Sequence, residues 1–389
     1  MRRLMISAMA VFLAANLAPA ASSSAQAQPA RPAPHTVAPE AAAAASLVAQ
    51  TAFQPDSSQL KADFDGDGYH DIAIWEITHG ADVRLLRGGE GGFTGPVMAW
   101  IGGTQWSNRI KHVTAGDYDR DGRAELAFFY EQPDGYAAVY TMAFNPADNT
   151  FGSPQIQWEA PNWGTGTRFM ASSAINWITG HLEIVLFYQY DSRSIGVFRL
   201  LPQSSGWAMH VQPQLLPDWG PGTKAMVGQP VGTSLAFLYD YGGGHVALWT
   251  LSWSQTNTTS WRQIWDGPRW GSGTTFLRVA NVTGSSSSDL VLFYDYGNGH
   301  VTAFVMRHES VFLIPVAIWD GPVWGGGTQF VTAGNYTAKN QRAEIGMFYN
   351  YGNGQATLFT LKPVPDGGYS GPQAQWTTPD QGKYIKTGI

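Results

Sequence analysis

The sequence predicts an all-β fold, a β-propeller of six four-stranded blades. Three observations carry that expectation. A short apolar run ending in an aromatic residue recurs six times, at Trp75, Tyr130, Tyr188, Tyr239, Tyr294 and Tyr349, in steps of 55, 58, 51, 55 and 55 residues. A period of this size marks an array of small similar units rather than one irregular domain. The 389 residues include 45 Gly and 13% aromatics but only 13% charged residues, which suits short strands and tight turns. Finally, four extended segments fit inside each unit, the content of a propeller blade.

Taken in order, residues 1–27 read as a signal peptide. Arg2 and Arg3 precede an apolar stretch at 4–17, and Ala25-Gln26-Ala27 is a small-x-small cleavage site. The stretch is too short to span a bilayer, and no later segment reaches the roughly 18 apolar residues a membrane helix needs. The expectation is a secreted, soluble product. Residues 28–57, rich in Ala and Pro, read as a linker, and residues 58–389 as the propeller.

Unit five shows the strand plan best: 276–280, 289–294, 300–306 and 311–319. In units four to six the second and third strands are joined by YDYGGGH (239–245), YDYGNGH (294–300) and YNYGNGQ (349–355). Gly and Asn accept the positive φ that tight hairpins require. Residues 58–63 and 381–387 both resemble an opening strand, so one end of the chain is expected to complete a blade beside the other. The alternative is seven blades, with residues 46–58 and the C-terminal tail forming a partial one.

Two loops carry the most specific pattern. Asp63, Asp65, Asp67 and Asp71, and likewise Asp117, Asp119, Asp121 and Glu125, stand at the first, third, fifth and ninth places of their loops, with Gly68 and Gly122 at the sixth. Alternate carboxylates in a tight loop wrap a hard cation, and the carbonyl of Tyr69 or Arg123 adds an oxygen. An all-oxygen set of this kind suits Ca2+. An EF-hand would need Glu at the twelfth place, where Ile74 and Phe128 stand. The competing reading is an acidic turn without metal.

The stretches DFDGDGYHDIAIW and GDYDRDGRAELAFFY resemble FG-GAP/VCBS repeats, found in integrin-like propellers and many secreted bacterial proteins. The FYDYGNG units resemble versions common in secreted actinobacterial proteins. The resemblance covers roughly residues 59–389 and implies a propeller, loop-bound calcium and extracellular binding roles, without implying one activity. The other four loops lack the Asp triplet, so metal ligation is carried to the first two alone.

A second constellation is aromatic. Paired Trp recur as Trp158/Trp163, Trp265/Trp270 and Trp319/Trp324, and a second Tyr follows each glycine-rich turn's first, at Tyr241, Tyr296 and Tyr351. Rings beside polar groups stack on the apolar faces of sugars. The candidate ligand-binding set is therefore Tyr241, Tyr296, Tyr351, Asp240, Asp295, His245, His300, Trp270 and Trp324. Repeated weak sites on one ring gain by multivalency. The competing reading is that these rings pack blade on blade.

The net charge of −6 and the lack of a Lys/Arg run argue against nucleic-acid binding. The absence of Cys removes thiol chemistry. No HExxH, GxSxG or GxxxxGK[ST] motif occurs. The reading is a secreted, non-catalytic, calcium-stabilised module binding carbohydrate or another cell-surface or matrix ligand. The alternatives are a protein-interaction scaffold and a polysaccharide hydrolase or lyase, whose carboxylates meet only in space.

Overall fold

The computed structural model describes residues 54–55 and 62–388, apart from 77–79, 177–180, 192–193, 204–205, 211–218, 220–221, 229–233, 255–257, 272, 286–287, 310–311, 340–341 and 380–384. The signal peptide and nearly all of the linker lie outside these residues.

The described chain is all-β, with six blades of four antiparallel strands. Blade one joins Ile385–Gly388 to Ile72–Glu76, Asp82–Arg87 and Thr94–Ile101. Blade two has Ile110–Gly116, Glu125–Glu131, Ala137–Asn145 and Gln155–Ala160. Blade three has Thr167–Asn176, His181–Gln189, Ile195–Gln203 and Gly206–His210. Blade four has Thr223–Gly228, Ser234–Gly242, His245–Trp253 and Thr259–Gly267. Blade five has Thr274–Ala280, Asp289–Asp295, Val301–Glu309 and Phe312–Gly321. Blade six has Thr328–Gly334, Glu344–Asn350, Ala356–Leu361 and Gln373–Thr378. The expected strands of unit five are all present, each a little longer than the sequence alone suggests.

Second strands have no solvent face. All seven residues of Glu125–Glu131 are buried, as are all five of Ile72–Glu76. Alternate residues serve opposite neighbours. Leu126 and Phe128 pack with Trp75 and Val83 of blade one, while Ala127 and Phe129 pack with Ile184 and Leu186 of blade three. The core is six such blade-to-blade clusters. The sixth sets Phe330, Phe348 and Leu358 of blade six against Ile72, Ile74 and Leu86 of blade one, which closes the ring.

The C-terminal strand supplies the opening strand of blade one, with Ile74 opposite Gly388 and Trp75 opposite Thr387. Of the other candidate opening strand, 58–63, residues 58–61 lie outside the described residues, and Ala62 and Asp63 are not in a strand. Gln54–Pro55 instead pairs in parallel with the first strand of blade two, Gln54 opposite His112. Among the described residues the strands make six blades and no seventh.

Register also corrects the repeat. A bulge interrupts each first strand at the same place. Tyr130 pairs with Ile110 before the bulge, and in blade one the matching pair is Glu76 with Ile385. Glu76, not Trp75, therefore stands at the tyrosine position, and Trp75 corresponds to Phe129.

Antiparallel order fixes which loops share an end. First-to-second-strand loops and third-to-fourth turns emerge at one end of the ring. Second-to-third turns and the connections to the next blade emerge at the other. Backbone bonds at the latter end tie turn to connection: Gly164 to Gly135, Gly271 to Gly244 and Gly325 to Gly299, at 3.0, 2.8 and 2.7 Å. Deleting residues 385–389 should cost several kcal/mol, at about 1 kcal/mol per lost ladder hydrogen bond, and expose blade one to limited proteolysis. An unchanged thermal midpoint would show that the interface of blades six and one closes the ring alone.

Candidate functional site

At the first end lie the two acidic loops. In blade one, Asp63 accepts the N–H groups of Gly66 and Gly68 at 2.7 and 2.8 Å. Asp71, fully buried at the head of the second strand, accepts those of Phe64 and Gly88 at 2.8 and 2.9 Å. In blade two, Gly122 donates to Asp117 at 3.1 Å and Tyr118 to Glu125 at 2.8 Å. Carboxylate oxygens of Asp63, Asp65 and Asp71 gather within 4.8 Å of one another, and so do those of Asp117, Asp119, Asp121 and Glu125.

Asp67 stands outside the first group. Its Oδ1 accepts the Tyr69 N–H at 2.8 Å, and its carbonyl accepts Lys339 Nζ at 2.7 Å. Lys339 also lies 4.5 Å from the centre of the Tyr69 ring. In blade two the Arg123 guanidinium reaches Asp121 at 2.5 Å and holds its carboxyl below the usual range.

Burial, then the neighbouring carboxylates, pushes Asp71 up to about 8 and Glu125 up to about 8. Asp63 and Asp65 are also raised, chiefly by burial. Among the described residues, Asp117 Oδ1 is buried without a hydrogen-bond partner. An orphaned carboxylate oxygen beside three more carboxylates fits a hard cation, which would replace the missing proton or donor.

The head acid recurs without the triplet. In blade five Asp289 accepts the N–H groups of Val282 and Thr283 and the Thr283 hydroxyl, the last at 2.9 Å. In blade six Glu344 accepts the Thr337 N–H and hydroxyl, at 3.1 and 2.6 Å. Three of these loops are also latched to their predecessors: Ala124 donates to the Asp63 carbonyl, His70 to that of Asn335 and Ala343 to that of Asn281.

The aromatic turns stand at the opposite end. Tyr296 is 49% exposed and Tyr351 47%, whereas Tyr241 is half-buried. Tyr296 stacks on His300 with centroids 4.6 Å apart, and Tyr241 lies 4.6 Å from His245. His300 meets Asp320 at 2.5 Å and His245 meets Asp266 at 2.7 Å. Asp240 and Asp295 hold their own turns, each accepting a glycine N–H at 2.7 Å, from Gly242 and Gly297.

Trp270 and Trp324 are half-buried wedges between blades. Trp270 follows blade four and packs on Trp265, on Tyr294 and Phe304 of blade five, while its indole N–H donates to Thr274 at 2.7 Å. Trp324 packs likewise on Trp319, Tyr349 and Phe359. Trp106, Trp163 and Trp219 fill equivalent boxes.

Residues 63–128 match the family model described as an FG-GAP-like repeat. The match spans the acidic loops of blades one and two. A search of curated proteins returns no match. Among solved structures, a hypothetical selenium-binding protein from Sulfolobus tokodaii shares 9% identity over 82% of this chain and 93% of its own, with a TM-score of 0.48. AofleA from Arthrobotrys oligospora shares 12% over 83% and 96%, at 0.46. The Aleuria aurantia lectin, solved with α-methyl-L-fucoside, shares 14% over 80% and 95%, at 0.45.

The ring also shows residues that sequence reading missed. Tyr190, 49% exposed, occupies the second-tyrosine position in blade three. Its loop, YQYDSRS, keeps the Tyr-x-Tyr spacing but not the glycines. Asp266 and Asp320 pair with the histidines, and the repeated WDGP of their strands was the signal.

Two outcomes follow. Between the ordinary carboxylate range and about pH 8, the cation-free fold keeps protons on Asp71 and Glu125 that the unfolded chain has released. Its stability should therefore fall as pH rises through that window, and a bound cation should reverse the fall at about pH 8. Thermal midpoints that ignore added calcium there would remove the cation. In addition, Trp270→Ala should destabilise by about 3 kcal/mol, and Tyr296→Ala by less than about 1 kcal/mol, in denaturant melts.

Proposed function

We propose that this chain is a secreted, non-catalytic propeller, stabilised by calcium in the loops of blades one and two, that binds carbohydrate through its aromatic rim. The observation that carries the reading is the repeated placement of Tyr190, Tyr241, Tyr296 and Tyr351 at one end of the ring, three of them about half exposed. In blades four and five each tyrosine also has a His–Asp pair beside it.

A tyrosine face takes the apolar side of a pyranose, and an adjacent acid–histidine pair bonds its hydroxyls. One such site is shallow and weak. Several on a rigid ring engage a multivalent glycan surface at once, which raises avidity without new contacts. The calcium reading rests on the donor set: hard carboxylate oxygens, one of them without a partner. When bound, the ion would neutralise the crowded carboxylates that Asp63, Asp71, Asp117 and Glu125 bring together. The second class of reading, a protein-interaction scaffold, draws on the same end of the ring and predicts a broad dependence on rim side chains.

On a glycan array, Tyr296→Ala and Tyr351→Ala should each weaken binding about tenfold or more while leaving the thermal midpoint nearly unchanged. Unaltered glycan binding by the double variant would remove the rim as the binding surface. Release of reducing sugar from any bound glycan would contradict the non-catalytic reading.

A further inference from the structure

A recess lies at the end of the ring opposite the tyrosine rim, between blades two and three. It is a cleft of about 520 Å3, inside the range of roughly 300–1,000 Å3 typical of small-molecule sites. Gln155, Gln157 and Thr141 from the outer strands of blade two form one wall. Gln203 and Trp207 from the outer hairpin of blade three form the other. Tyr118 supports the indole from beneath, edge to face at 5.0 Å, and its own hydroxyl is anchored on Ser172 at 2.6 Å. Gly206 has φ +111° and passes so near blade two that an added Cβ would meet the Gln157 carbonyl at 3.3 Å. The two outer strands therefore approach closely at the cleft, and only a residue without a side chain turns there easily.

We infer that this cleft is a second ligand site, one that takes a neutral sugar unit. Three features of the lining select that class. Trp207 is half-buried, so one part of a rigid indole faces the recess. Three glutamines line the cleft with it, and an amide both donates and accepts, as does a sugar hydroxyl; Gln155 already donates to the Ser153 carbonyl at 3.0 Å. Gln157 already donates to Thr141 at 2.7 Å, leaving its carbonyl oxygen to accept. Asp119 and Glu125 also line the cleft, and among the described residues no Lys, Arg or His does. With no basic side chain in the described lining an anionic ligand finds no ion-pair partner there, and an apolar one would strand the amides from water.

The inference rests on the carbohydrate reading above but assigns a different surface, so the two fail separately. The test titrates the full chain with neutral oligosaccharides and with their amine-bearing and uronate-bearing counterparts, following heat and tryptophan fluorescence. Neutral sugars should bind. Trp207→Ala and the exposed-site variant Gln203→Ala should each weaken that binding, the former about tenfold or more, and Trp207→Phe should largely restore it. Tyr296→Ala should leave this component unchanged. Full binding by both Trp207→Ala and Gln203→Ala overturns the cleft. If Tyr296→Ala then removes the binding, the rim reading stands alone. If the cleft variants remove it and Tyr296→Ala does not, the rim reading fails and the cleft stands. Preference for the amine-bearing or uronate-bearing sugars, or no binding by any probe, also overturns the cleft as a neutral-sugar site. If Trp207→Ala does not fold, Gln203→Ala decides.

Discussion

Each blade of this ring can bury its two apolar faces only against its neighbours, and everything else in the structure follows from that. A single four-stranded sheet with two apolar faces is not stable in water, whereas a closed circle of them has no unburied face left. The second strands show the constraint most sharply. Phe128 and Phe129 are adjacent in sequence and both fully buried, yet they belong to different interfaces, one shared with blade one and the other with blade three. Losing one interface therefore exposes the faces of two blades. Closure through Ile385–Gly388 binds the two ends of the chain into one sheet, and the Phe330–Phe348–Ile72 cluster behind it gives that sheet the same packing as every other interface.

Much of this was legible because the second strand is the most constrained element in each unit. Burial on both faces demands a continuous apolar run, and such a run is visible without knowledge of its partner. The register of the first unit was less legible. Counting from the aromatic end of the run placed Trp75 with the tyrosines, whereas the head acids Asp71 and Glu125, counted forward, place Glu76 there. The head acid is the better anchor because two backbone N–H groups depend on it in blade one, while the aromatic end faces looser packing. The cleft between blades two and three was not legible at all. Gln157 and Trp207 lie 50 residues apart in sequence, in strands that no motif marks, and only the packing of blade two on blade three brings them together.

The two repeated motifs also separate in space in a way that their order along the chain hides. In sequence, the acidic loops belong to early units and the glycine-rich turns to later ones, which suggests two arcs of one face. Antiparallel pairing instead sends the two kinds of loop to opposite ends of the ring. The acidic loops hold blades in register: Ala124 bonds the Asp63 carbonyl in the loop before it, and the head acids fasten the loop backbone. The tryptophan wedges do the equivalent work at the other end, each sitting between its own blade and the next. The tyrosines above them are left with less to hold, which is why they remain exposed while Trp270 and Trp324 do not.

Comparison of the head acids shows what the Asp triplet adds. In blades five and six, Asp289 and Glu344 satisfy their loops with backbone N–H groups and the hydroxyls of Thr283 and Thr337. No aspartate triplet crowds those loops, although Glu344 Oε2 is buried without a hydrogen-bond partner. In blades one and two the head acid shares its loop with further carboxylates, and burial pushes both Asp71 and Glu125 up to about 8. That arrangement costs stability unless positive charge enters, because like charges gathered in a partly buried loop repel one another. The uneven distribution of the triplet therefore sets blades one and two apart: there the head acid is crowded by further carboxylates, and a cation bound among them would relieve that repulsion.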